Sequence, residues 1–103
     1  MAMPRATLGI QVQSLEGCDD LEPINAAIAH IQAAGLEYEV GSLETTIEGD
    51  DAGELMQVAI GAHRAAIAKG PDAIQTNIRL LERPTGLQTM RERVAPFRNQ
   101  TAD

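Results

Sequence analysis

Hydrophobic positions follow two rhythms along the chain. Residues 6–13 alternate strictly, with Leu8, Ile10 and Val12 on one face and Thr7, Gly9, Gln11 and Gln13 on the other. That is the period of a half-buried strand. From Leu21 the spacing turns helical through Ile24, Ala27, Ile28, Ile31 and Ala34. Asp20 is placed to cap this helix, Pro23 falls in its first turn, and Gly35 is a natural stop. A short strand at 37–40 leads through Gly41-Ser42 to a third strand at 43–48, with Leu43, Thr45 and Ile47 on one face and Glu44, Thr46 and Glu48 on the other.

Asp51, with Glu54 three residues on, resembles a capping box and opens a second helix. Its apolar side is Leu55, Met56, Ala59, Ile60, Ala62, Ala66 and Ile67; it runs to about Lys69 and ends at Gly70-Pro71. A fourth strand at 73–81 turns Ile74, Thr76, Ile78 and Leu80 one way and Gln75, Asn77 and Arg79 the other. A turn around Pro84 to Gly86 precedes a short terminal helix at 87–95, and residues 98–103 read as a frayed tail.

The order is β-α-β-β-α-β plus a terminal helix. It predicts one α+β domain spanning 1–103: a ferredoxin-like sandwich with a four-stranded antiparallel sheet. The first and third strands are then central, and both longer helices cover one sheet face. The other face is left open or used for association.

Composition narrows the function classes. With one Tyr, one Phe and no Trp, the core must be aliphatic. A formal charge of −7 argues against a nucleic-acid partner and mildly favours neutral or cationic ligands. The charge is uneven: residues 1–70 hold eleven acidic and three basic side chains, residues 71–103 four and five. Cys18 is the single cysteine, so no intrachain disulfide can form. With no signal-like or membrane-spanning apolar run, a cytoplasmic protein is the expectation. Asn99-Gln100-Thr101 is then a chance match to the glycosylation triplet.

Candidate chemistry follows from parity. Thr45 shares the face of Ile47, Thr76 lies between Ile74 and Ile78, and His63 falls on the stripe of Met56, Ile60 and Ile67. Three hydrogen-bonding side chains are thus aimed at the helix–sheet layer. A buried hydroxyl without a partner costs about 1–3 kcal/mol, so something should satisfy them. Either each threonine bonds to backbone and His63 reaches solvent, or the three line a small polar pocket. Gln11, Thr46, Glu48 and Asn77 share the opposite face, which reads as solvated or subunit-covered. They remain candidate ligand contacts, Glu48 above all because it sits at a strand end. The two histidines and one cysteine lack zinc-site spacing, and the Asp pairs before helices are explained as caps. With no phosphate loop, nucleophile elbow or acid–base pair, no enzyme chemistry is visible and no metal or cofactor is expected.

Residues 38–50, Tyr-Glu-Val-Gly-Ser-Leu-Glu-Thr-Thr-Ile-Glu-Gly-Asp, resemble the signature of the thiamine-binding, YkoF-like family of small ferredoxin-like proteins. Tyr38, Glu39, Thr45, Ile47, Glu48 and Gly49 match it, and the likeness continues through His63, Thr76, Ile78 and Arg83. Ser42 stands where the turn usually has proline, and Glu44 where a small or neutral residue is usual. The resemblance implies non-catalytic binding of thiamine or its hydroxymethylpyrimidine half. It also implies a homodimer or homotetramer assembled through sheet faces. Thr45 and Thr76 would then hydrogen-bond the ligand, Glu48 would be its carboxylate partner, and His63 and Tyr38 would be pocket walls. An amino-acid-sensing module of the same topology and a ligand-free assembly protein are the alternatives, with a small enzyme of the dimeric α+β barrel type a more distant one.

Overall fold

The structure, a computed structural model, describes residues 3–15 and 21–98. Strand β1, Ala6–Ser14, is the spine. It pairs antiparallel along its whole length with β4, Ile74–Glu82, from Ala6 opposite Glu82 to Ser14 opposite Ile74. On its other side it pairs with β3, Thr45–Gly49, with Leu8 opposite Ile47 and Ile10 opposite Thr45. Strand β2, Glu37–Val40, adds outside β3, giving the order β2-β3-β1-β4. Helices α1, Glu22–Ala33, and α2, Ala52–Ile67, cover one face. This is the expected ferredoxin-like sandwich with β1 and β3 central.

The core lies between that helix pair and the sheet. Leu8, Ile10, Ile31, Ile47 and Leu55 are its largest fully buried side chains, and Ala27, Ala59, Ala62 and Ala66 let the helices come close. One close approach is at Gly61 of α2. The ring of His30 from α1 occupies the space a side chain there would need. Asp51 caps α2, its carboxylate accepting the Gly53 N–H at 2.9 Å. At α1 the N-cap is Leu21, which makes no side-chain cap bond. Asp20, the expected cap, lies outside the described residues, as do Cys18 and the Asn99 triplet.

Two departures from the sequence pattern bear on the site. Leu43 was expected in the third strand, facing the helices. It sits instead in the β2–β3 turn and is 78% exposed. The turn closes when the Gly41 N–H donates to the Glu44 carbonyl at 2.9 Å, so β3 begins only at Thr45. A Cβ at Gly41 would stand 2.8 Å from that same carbonyl oxygen, which explains a glycine there.

The second difference concerns the sheet's outer face, which is not left open. The terminal helix α3, Met90–Arg98, lies over it and starts three residues later than expected. Leu87 is buried and ties its N–H to the Pro4 carbonyl at 2.7 Å. Thr89 and Glu92 then form a reciprocal capping box: the Thr89 N–H donates to Glu92 Oε1 at 2.9 Å, and the Glu92 N–H to Thr89 Oγ1 at 3.1 Å. Glu48, only 7% exposed, rises from β3 and accepts the Met90 N–H at 3.0 Å through Oε2. A carboxylate at a helix N-terminus satisfies an otherwise unpaired donor and complements the helix dipole. At the other end, Arg98 of α3 pairs with Glu39 of β2.

Glu48→Ala leaves the Met90 N–H buried without a partner, and should lower stability by about 1–3 kcal/mol in denaturant unfolding. A loss below about 0.3 kcal/mol would show that α3 does not depend on this bond. The hydrogen bonds with the Thr89 backbone and side chain hold the Glu92 carboxyl below its usual range. A carboxyl depressed in the folded state stabilises fully above its unfolded pKa, and that contribution disappears as pH falls through the folded value. Protection factors of the α3 amides should therefore fall under acidic conditions below the ordinary glutamate range, and Glu92→Gln should flatten that dependence.

Candidate functional site

The register of β1 decides which polar side chains can meet. Thr45 stands opposite Ile10, and Thr76 opposite Val12, so both share the helix-facing side of the sheet on either flank of β1. Thr76 is engaged by α2: its Oγ1 and the Nδ1 of His63 share a hydrogen bond of 2.7 Å. His63 is therefore half-buried and held by a side chain rather than reaching free into solvent. Which partner donates depends on the imidazole tautomer.

Thr45 is buried at 6% exposure, and it borders a cleft of about 200 Å³ between α1 and the ends of β1 and β3. The cleft is apolar on its helix side, through Ile24, Ile28 and Ile31, and its rim is the β2–β3 turn with Ser42 and Glu44. Among the described residues no side-chain hydrogen bond engages the Thr45 hydroxyl. A hydroxyl without an internal partner, at the wall of an apolar cleft, can donate to and accept from a small heteroaromatic ring. Val12 also lines the cleft, and it is the strand partner of Thr76. The hydroxyl of Thr45 and the His63–Thr76 pair thus lie on the same side of the sheet, on either flank of β1.

The other expected contacts are dispersed. Tyr38 is on the helix side, opposite Ile47, but on edge strand β2. It is 37% exposed beside a shallow hollow that includes Gln32 and Arg91. Glu48 is on the opposite face, its carboxylate committed to α3, so the strand separates it from Thr45. Thr46 also faces α3. Asn77 Nδ2 donates to Gln11 Oε1 at 3.1 Å on the outer face, and Gln75 Nε2 donates to Asn77 Oδ1 at 3.3 Å. Gln11 also borders the cleft where β1 passes it. The eight candidates therefore divide: Thr45, Thr76 and His63 inward, Tyr38 at the inward edge, and Glu48, Thr46, Asn77 and Gln11 outward.

Sequence reasoning missed two features. Ser14 continues the inward row of Leu8, Ile10 and Val12, and its buried Oγ has no hydrogen-bond partner. Extending the alternation by one residue pair would have found it. The cleft walls from α1 were assigned to the core stripe, and no local pattern distinguishes a helix residue over a cleft from one over the sheet. Among the described residues no group of three His, Cys, Asp or Glu side chains could hold a metal ion, and no helix is long and apolar enough to cross a membrane.

Thr76→Val strips His63 of its partner in a half-buried setting. It should cost about 1 kcal/mol in unfolding stability and shift the His63 ring resonances. Unmoved resonances would contradict the pairing.

The comparisons agree with this fold. A UPF0045 protein of Clostridium perfringens is 28% identical over 97 residues, covering 89% of this chain and 98% of that one. The structure of the DUF77 domain of unknown function from Bacillus cereus superposes with a TM-score of 0.82 at 29% identity, covering 95% of this chain and 94% of its own. A Thermotoga maritima structure, provisionally described as a thiamine biosynthesis or salvage protein, superposes at 0.76 with 27% identity, covering 91% and 99%. Residues 10–98 match the family described as thiamine-binding protein. With nearly the whole chain matched and the fold shared, this chain belongs to the thiamine-binding protein family.

Proposed function

We propose that the chain binds thiamine or its hydroxymethylpyrimidine half, in the cytoplasm and without catalysing a reaction on it. The observation that carries this reading is the internally unengaged hydroxyl of Thr45, a residue only 6% exposed, at the wall of a cleft of about 200 Å³, in a member of a thiamine-binding family. An aminopyrimidine offers ring acceptors and an exocyclic donor, which the Thr45 hydroxyl can read while Ile24, Ile28 and Ile31 cover the ring faces. Thr76 and His63 supply a second polar point behind Val12, and the negative net charge of the chain favours a cationic thiazolium. Tyr38, at the β2 edge, contributes only where a ligand extends past Val40.

In this reading the chain works as a homodimer or homotetramer. Since α3 occupies the part of the outer face over β3, the surface left for association is the end of the β1–β4 pair beyond Gly9 and Arg79, where Gln11, Gln13, Gln75 and Asn77 are displayed.

Thermal unfolding with thiamine, hydroxymethylpyrimidine, thiamine diphosphate and a set of amino acids tests the proposal. Ligand at about a hundred times its dissociation constant adds roughly 2.7 kcal/mol, on the order of 10 °C or more for a domain of this size. Thr45→Val combined with Thr76→Val should abolish that shift while leaving the oligomer intact by size-exclusion chromatography. A shift with an amino acid alone would favour a sensing module, and no shift with any compound would contradict the binding role.

A further inference from the structure

The outer face carries a second groove, on the far side of the sheet from Thr45. It encloses about 250 Å³ between the sheet and α3, and its walls are Thr7, Thr46, Leu81, Glu44 and two arginines, Arg79 from β4 and Arg93 from α3. In a chain of formal charge −7, two guanidinium groups from different elements converge here on one hollow.

Gly9 of β1 is the floor. A Cβ there would stand 2.7 Å from Glu44 Oε2, because the Glu44 carboxylate crosses over the glycine to pair with Arg79 two strands away. The groove floor thus already receives an anionic group, one tethered to the protein's own β2–β3 turn. Arg93 has no side-chain hydrogen bond or ion pair among the described residues. Its planar fork of donors is available to an anion from above.

We propose that this groove binds a phosphate-class dianion, inorganic phosphate or a phosphate monoester, between Arg79 and Arg93, with the Thr46 hydroxyl as a further donor. Glu44 is a displaceable stand-in for that anion. A tetrahedral dianion can engage two guanidinium forks and a hydroxyl at once, whereas a single carboxylate satisfies one fork, as Glu44 does with Arg79. The site lies on the opposite side of the sheet from the Thr45 cleft and shares with it only Glu44 of the β2–β3 turn.

The test is titration of the full chain with inorganic phosphate at constant ionic strength, balanced with chloride, read by calorimetry and by thermal unfolding. Saturable binding is expected. Arg93→Ala should weaken it about tenfold, the scale of one charge-assisted hydrogen-bonding group. Glu44→Gln, which removes the competing carboxylate but keeps the side chain's shape, should tighten it severalfold. That gain is a result which mere structural support by Glu44 would not produce. Arg93→Gln replaces Arg93→Ala if the latter does not unfold cooperatively. Stabilisation no greater than chloride gives, an unchanged affinity in the Arg93 variant, or weaker binding in Glu44→Gln would each overturn the proposal.

Discussion

The pairing of β1 with strands on both sides governs everything else in the molecule. Nine residues are locked against β4 along their full length, and five of them also against β3. Side chains on a strand alternate between faces, so this register leaves no freedom about which residues meet the helices. A slip of β1 by one residue would turn Leu8, Ile10 and Val12 away from α1 and α2. Fully burying a large aliphatic side chain is worth about 1.5–3 kcal/mol, and the strands contribute three such side chains, Leu8, Ile10 and Ile47. The alternative register is therefore excluded by several kcal/mol.

That constraint makes the two faces chemically distinct. The inner one is aliphatic with a few hydroxyls and His63; they can matter to a ligand because little else in the layer is polar. The outer one is crossed by ion pairs, Glu44 with Arg79 and Glu39 with Arg98, and is partly closed by α3. Glu48 explains why that helix stays: it is a buried carboxylate whose partner is the first N–H of α3. Burying a charge is unfavourable unless it is hydrogen-bonded, so the strand and the helix each depend on the other being in place.

Much of this was legible in the sequence because it is local. The alternation at 6–13 and 74–80, the stripe of α2 and the stop at Gly70-Pro71 each depend on neighbouring residues, and the fold class followed. So did the inward placement of Thr45, Thr76 and His63. The rest is non-local. The Glu48 bond joins residues 42 apart, and nothing near Glu48 announces its partner. Glu44 and Arg79 meet only because Gly9 lies between them. The Thr89–Glu92 capping box was legible as Thr-x-x-Glu, and reading it would have put the start of α3 at Met90. Parity places a residue on a face but not over a cavity, which is why Tyr38 and Thr45 share a face yet border different hollows.

The central claim is that a thiamine-type ligand enters between α1 and the sheet beside Thr45. Amide chemical-shift mapping during a thiamine titration tests it most directly. The account predicts saturable perturbations at Thr45, Ser42, Val40 and Ile28, with Thr46, Arg79 and Arg93 unaffected. Perturbations confined to the outer face, or none at the cleft at saturating thiamine, would contradict it.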